Sequence, residues 1–115
     1  MSDLLLDMAV KHIKSEAVTP QSLQRYLAGR KQKVYGDLVV EPSPNNILVA
    51  QASEEFAELM RELADHPNIS FEYVSLIELA MANELVYNMP EVTNPGYAYK
   101  TPHWLSVKMR WVKSS

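Results

Sequence analysis

Charge is laid out along this chain in blocks, and any fold must either pair the blocks or display them. Between Glu41 and Glu91 stand ten carboxylates (Glu41, Glu54, Glu55, Glu58, Glu62, Asp65, Glu72, Glu78, Glu84 and Glu91) and one cation, Arg61. Beyond Glu91 there are four cations (Lys100, Lys108, Arg110 and Lys113) and no carboxylate. The first forty residues carry six cations and four carboxylates. The formal net charge of −3 conceals this segregation. A fold that brings the acidic middle onto the basic ends neutralises it internally. A fold that does not shows partners two faces of opposite sign.

The 115 residues fit one domain, and 47% of them are hydrophobic, the balance of a folded globule. A chain of this size removes roughly 65% of its unfolded surface from water. There is no cysteine, which excludes disulfides, thiolate metal sites and cysteine nucleophiles. The start of the chain lacks a basic leader, and no apolar run approaches the ~18 residues of a membrane span. The expectation is a soluble, cytoplasmic protein with no membrane partner and no cofactor.

Hydrophobic spacing and punctuation predict an α+β domain in the order ααββα(β)αβ: a small, mainly antiparallel sheet of three or four strands with helices on one face. A first helix is expected over 3–16, with Ser2 as N-cap and Leu6, Ala9, Val10, Ile13 and Ala17 inward. A second runs 20–28. Thr19 caps it, Pro20 takes the first turn and Gly29 stands at the stop, with Leu23, Tyr26 and Leu27 inward and Gln21, Gln24 and Arg25 outward. These two helices make a corner over 1–30, ahead of a sheet with two more helices over 31–115. Strands at 33–41 and 47–51 form a hairpin around Pro42-Ser43-Pro44. A third helix spans 54–65 behind Ser53, with Phe56, Leu59, Met60 and Leu63 inward and an acidic outer face. A strand is expected over 69–74. A fourth helix, capped by the Ser75–Glu78 box, is expected to reach about Asn88 and to be largely buried. A long connection, 89–102, holds three prolines and a glycine, and such a loop is usually functional or mobile. The last strand, 103–113, should turn Leu105, Val107, Met109 and Trp111 one way and Trp104, Ser106, Lys108 and Arg110 the other.

No catalytic motif is found. The three glycines are far apart, so no phosphate loop exists, and there is no nucleophile elbow. His12 and Glu16, one helical turn apart, lack a third ligand that would make a metal site. His66 suits the C-terminus of a helix, where an imidazolium is favoured. His103 follows the long loop and is the one histidine worth testing in a site.

Residues 11–34 carry the functional signal. Ala17-Val18-Thr19 forms a turn, Leu23 and Tyr26-Leu27 anchor a short helix, Arg25 points outward, and Gly29-Arg30-Lys31 follows. This pattern resembles the helix-turn-helix of repressor-type DNA-binding proteins. The resemblance implies that the second helix enters the major groove, with Gln21, Ser22 and Arg25 at base edges and Arg30, Lys31 and Lys33 on phosphates. The chain departs from that family at His12, where the pattern wants an apolar residue, at Ile13, where it wants a small one, and at Ala17, where it wants glycine. The same residues also fit a plain αα-corner packed on a sheet.

Two other surfaces qualify. Trp104, Lys108 and Arg110, with Tyr97 and Tyr99 nearby, form a basic, aromatic strand face; its bland counterpart is internal pairing with the acidic third helix. A protein-binding inhibitor or adaptor would use the acidic face at Glu54, Glu58 and Glu62 together with Tyr97, Tyr99 and Trp104. The apolar breadth of the fourth helix leaves room for a symmetric homodimer. The leading expectation is a small regulatory protein that binds nucleic acid through residues 11–34.

Overall fold

The computed structural model describes residues 3–84 and 86–113, with side chains from residue 4. The expected Ser2 cap lies outside the described residues, as does Leu85 of the expected fourth helix.

Helix α1 (Asp3–Ser15) leads into α2 (Pro20–Gly29). Strands β1 (Tyr35–Val40), β2 (Asn46–Ile47) and β3 (Val49–Ala52) precede helix α3 (Glu54–Ala64). Strand β4 (Ile69–Tyr73), helix α4 (Leu76–Met81), β5 (His103–Trp104) and β6 (Val107–Trp111) complete the chain. The α+β class and the approximate order are as the patterning predicts. The Cα radius of gyration, 13.6 Å, matches the roughly 13 Å of one compact domain of this length.

The starts of α2, α3 and α4 each follow from a side chain in place. The Thr19, Ser53 and Ser75 hydroxyls accept the backbone N–H groups of Ser22, Phe56 and Glu78, the amides that an α-helix leaves without an internal partner. The inner stripe of α3 is as expected: Phe56, Leu59, Met60 and Leu63 are all buried.

The strands assemble differently from the expected sheet. They form three two-stranded ladders: β1–β3 antiparallel, β2–β5 parallel and β4–β6 antiparallel. The hairpin exists, but its returning arm is split. Asn46–Ile47 pairs with His103–Trp104, and only Val49–Ala52 pairs with β1. The last strand is split too, because residues 103–104 and 107–111 serve different ladders. The alternation resets between them, and Trp104 and Ser106 become buried alongside Val107 and Met109.

The main core joins α1, α2 and α3 to the ladders through Ala9, Ile13, Leu23, Leu27, Phe56, Leu63 and Met109, each at or near zero exposure. Reciprocal backbone bonds between Val18 and Met109 (3.1 and 2.7 Å) pin the α1–α2 corner to β6. A second, small core gathers Val74, Leu79 and Trp104 under Tyr87.

Helix α4 is a correction. It ends at Met81, not near Asn88. Asn83 takes a left-handed backbone (φ 59°), and the Glu84 amide closes back on the Leu79 carbonyl. Asparagine tolerates that conformation, so the helix stops there. Only Leu79 of α4 is buried, while Ile77 and Met81 are 73% and 81% exposed. The prediction of a largely buried helix is therefore wrong.

Loop 89–102 is pinned by hydrogen bonds. The Asn45 and Asn46 side-chain amides donate to the carbonyls of Tyr99 and Tyr97, and Asn46 Oδ1 accepts from Gly96 N. The Tyr99 hydroxyl accepts from the amides of Thr93 and Asn94, and its ring stacks on His103 at 3.8 Å. These bonds hold the phenol below its ordinary pKa, the contact with the Thr93 side chain contributing most and partial burial opposing it.

Candidate functional site

The helical corner carries a groove on its outer side. Its volume is about 590 Å³, and His12, Ser22, Arg25, Tyr26, Gly29, Arg30, Asn83 and Glu84 line it. A smaller neighbour of about 300 Å³ shares His12, Tyr26 and Arg30 and adds Lys11 and Ser15.

Helix geometry puts these residues together. His12 on α1 and Tyr26 on α2 stack face to face, with centroids 3.7 Å apart and planes 3° from parallel. The Arg30 guanidinium carbon sits 5.0 Å from the Tyr26 ring centroid. The phenol ring thus holds contacts with both an imidazole and a guanidinium. A delocalised cation of this kind is well suited to lie near an aromatic ring while still offering N–H donors.

Arg30 is placed by the end of α2. Gln32 N donates to Leu27 O and Lys31 N to Ala28 O, the two reverse bonds of a Schellman motif. The left-handed residue of that motif is Lys31 (φ 65°), not the expected Gly29, which stays helical as the last residue of α2. Arg30 is thereby the C-cap and folds back over Tyr26.

Among the described residues, ion pairs within 4.0 Å join only Arg61 to Glu58 (2.7 Å) and Arg110 to Glu72 (3.1 Å). Lys11, Arg25 and Arg30 have no carboxylate at that range among the described residues. Among the described residues, the acidic side chain lining the groove is Glu84, on the wall formed after α4.

The expected nucleic-acid-binding residues separate into four groups, of which the buried Gln21 is the last. Ser22, Arg25 and Arg30 meet in the groove, with Ser22 half-buried. Lys31 is exposed beside it and does not line it. Lys33 belongs to another depression, of about 280 Å³, with Asp37, Glu54 and Glu55.

Gln21 is a correction. It is 2% exposed, and its amide nitrogen donates to Leu48 O at 2.9 Å. Gln24, also expected outward, is 4% exposed and donates to both Val34 O and Gln51 O at 3.0 Å. Thr19 and Pro20 are buried as well, so the first turn of α2 is covered by the chain except at Ser22, which is half-buried. A repressor-type recognition helix presents that turn to bases. Here the Gln21 amide nitrogen is spent on the Leu48 carbonyl between β2 and β3, and the side chain is buried away from any base edge.

The basic strand face is also corrected. Trp104 is fully buried and packs on Tyr87 with centroids 4.9 Å apart, so it cannot share a surface with Lys108 and Arg110. The neutralising carboxylate there is Glu72, opposite Lys108 in the β4–β6 register and bonded to Arg110. Helix α3 is not the partner. Its Glu54 is exposed, Glu58 holds Arg61, and Glu62 is half-buried on the same helix. Of the proposed aromatic partners, Tyr97 is 57% exposed and Tyr99 half-buried.

Sequence reasoning missed Lys11, His12, Tyr26, Asn83 and Glu84 as lining residues. One signal was present. His12 stands where the repressor pattern wants an apolar residue, and the stack on Tyr26 is what that histidine does. No group of three or more potential metal ligands comes together among the described residues. No described helix is long and apolar enough to cross a membrane. Comparison with known proteins found no family model, curated protein or solved structure that matches the chain.

Proposed function

We propose that the protein binds nucleic acid through the α1–α2 groove, holding the phosphate backbone without reading bases. One observation carries the reading: Lys11, Arg25 and Arg30, all without an ion-pair partner among the described residues, line two adjoining grooves held together by the His12–Tyr26 stack. Guanidinium groups match phosphate oxygens in pairs of parallel hydrogen bonds, and the lysine adds a point charge.

The same geometry argues against base recognition. The Tyr26 ring is engaged by His12 and by Arg30, so it is not an open stacking platform. Gln21, the residue suited to adenine, is buried and already donating. What remains exposed is cationic and indifferent to sequence. A regulatory role in the cytoplasm, where such a partner is available, belongs to the same reading.

The test is fluorescence anisotropy with a fluorescein-labelled oligodeoxythymidine and a labelled duplex across a salt series. Three contacting cations give a slope of log K against log salt of about −2 for the single strand and about −2.7 for the duplex. Binding to the single strand should then weaken roughly 20-fold between about 50 and 200 mM salt. Arg25→Ala with Arg30→Ala should bring that slope to about −0.7, whereas Lys33→Ala should change nothing. Salt-independent binding, or full binding by the double variant, refutes the proposal.

A further inference from the structure

A different part of the surface carries a second binding feature, independent of the cationic groove. Strand β1 pairs with β3 on one side only, and no described strand covers its other edge. Its large apolar side chains are nevertheless in solvent: Tyr35 is 51%, Leu38 42% and Val39 51% exposed. Proteins ordinarily blunt such an edge with lysine, proline or a covering loop. The strand Tyr-Gly-Asp-Leu-Val-Val has neither lysine nor proline within it, and its pairing with β3 slips in register on either side of Leu38.

Depressions lie at both ends of this strand. One, of about 400 Å³, runs between β1 and α3 over Val39, Val40, Pro42, Leu48 and Met60. The other, of about 280 Å³, lies over Tyr35 and Leu38 near the start of α3. Carboxylates outnumber cations four to two in their lining. Asp37, Glu54 and Glu55 line the second and Glu41 the first. Of the two cations present, Arg61 is held by Glu58 and only Lys33 is without an ion pair among the described residues.

We infer that the open edge of β1 takes an extended peptide segment of a partner protein in which apolar and basic residues alternate. Backbone amides would complete the ladder, and alternate side chains of an added strand point to opposite sides. The apolar set would cover Leu38 and Val40, which share a face, and fill the depression beside α3. The basic set would meet Asp37, Glu41, Glu54 and Glu55. A second copy of this chain is the poorer occupant. Pairing two β1 edges antiparallel about Asp37 sets carboxylate against carboxylate, and carboxylates outnumber cations four to two along the lining. Nucleic acid is repelled by the same charges.

The experiment titrates labelled synthetic peptides into the full chain. The first alternates valine and lysine. The second has the same composition with N-methylated valines, which cannot donate to a ladder. The third has glutamate for lysine. The first should bind on the order of tenfold tighter than either control, and Arg25→Ala with Arg30→Ala should leave that binding intact. Asp37→Lys with Glu41→Lys should weaken it by a similar factor, with the tryptophan emission spectrum reporting that the variant is folded. Equal binding of the N-methylated peptide overturns the inference, since plain charge attraction then accounts for it. So does a homodimer of the free protein, seen by sedimentation and dissolved by Val39→Lys. The peptide comparison on the unaltered chain decides the matter even where a variant fails to fold.

Discussion

Gln24 offers the sharpest check on how the helical corner is held. It is 4% exposed, and its single amide nitrogen serves two carbonyls, Val34 O and Gln51 O, each at 3.0 Å. Gln51 has a left-handed backbone (φ 54°) and lies where the β1–β3 register slips. The glutamine therefore ties α2 to an irregular point of the ladder that regular pairing does not serve. In Gln24→Ala, Val34 O keeps its bond from Ser53 N, while Gln51 O loses the side-chain donor. Two net hydrogen bonds at about 1 kcal/mol each, with some loss of packing, predict a destabilisation of about 2–3 kcal/mol. For a domain of this size the melting temperature should fall by roughly 10 °C. Urea unfolding followed by tryptophan emission measures it directly, because Trp104 is fully buried. At a temperature where the variant is folded, its nucleic-acid affinity should match that of the unaltered chain. A change below about 0.5 kcal/mol would show that the amide is solvated instead of clamped. Loss of binding with stability intact would mean that the glutamine faces a ligand after all.

Three further outcomes are expected. Lys31→Gly should stabilise the chain by about 0.5–1 kcal/mol, since a side chain at φ 65° is penalised and glycine is not; thermal melts that do not rise would contradict the Schellman assignment. Gly36→Ala should cost about 1–3 kcal/mol, because a Cβ there meets the backbone oxygen of Ala52 at 2.8 Å, and an unchanged urea midpoint would show that the ladder gives way easily. Tyr99 should ionise below the ordinary phenol value near 10 in an alkaline titration followed by phenolate absorbance, and Tyr99→Phe should remove that step. The sign for stability follows. A phenol depressed in the fold adds stability that is fully present above the unfolded value near 10, shrinks as pH falls through the folded value, and vanishes below it. If Tyr99→Phe leaves the alkaline titration unaltered, the amides of Thr93 and Asn94 do not hold the phenolate.

The corner residues show what was legible and what was not. Thr19-Pro20, Ser53 and Ser75 announce their helices, and all three hydroxyls cap them. The stop of α2 was also visible, though Lys31 rather than Gly29 takes the left-handed position. By contrast, Gln21 and Gln24 read as outward polar residues because helical spacing sees hydrophobicity, not hydrogen-bond partners 10 to 27 residues away. Trp104 was misplaced for a related reason. Alternation assumes one continuous strand, and the chain changes ladders between residues 104 and 107.

The amino-acid order alone determined the α+β class, the helix starts, the inner face of α3 and the separation of charge into blocks. Each depends on neighbours within a turn or two, where steric preference and capping act without the rest of the chain. Tertiary structure alone decided which polar side chains are consumed internally, which strands pair, and which cations share a groove. His12, Arg25 and Arg30 converge because α1 packs on α2, and the corner between them is tied to β6 by Val18 and Met109, residues 91 apart in sequence yet joined by two backbone bonds. Contacts of that range come from closing the core, and local sequence holds no record of them.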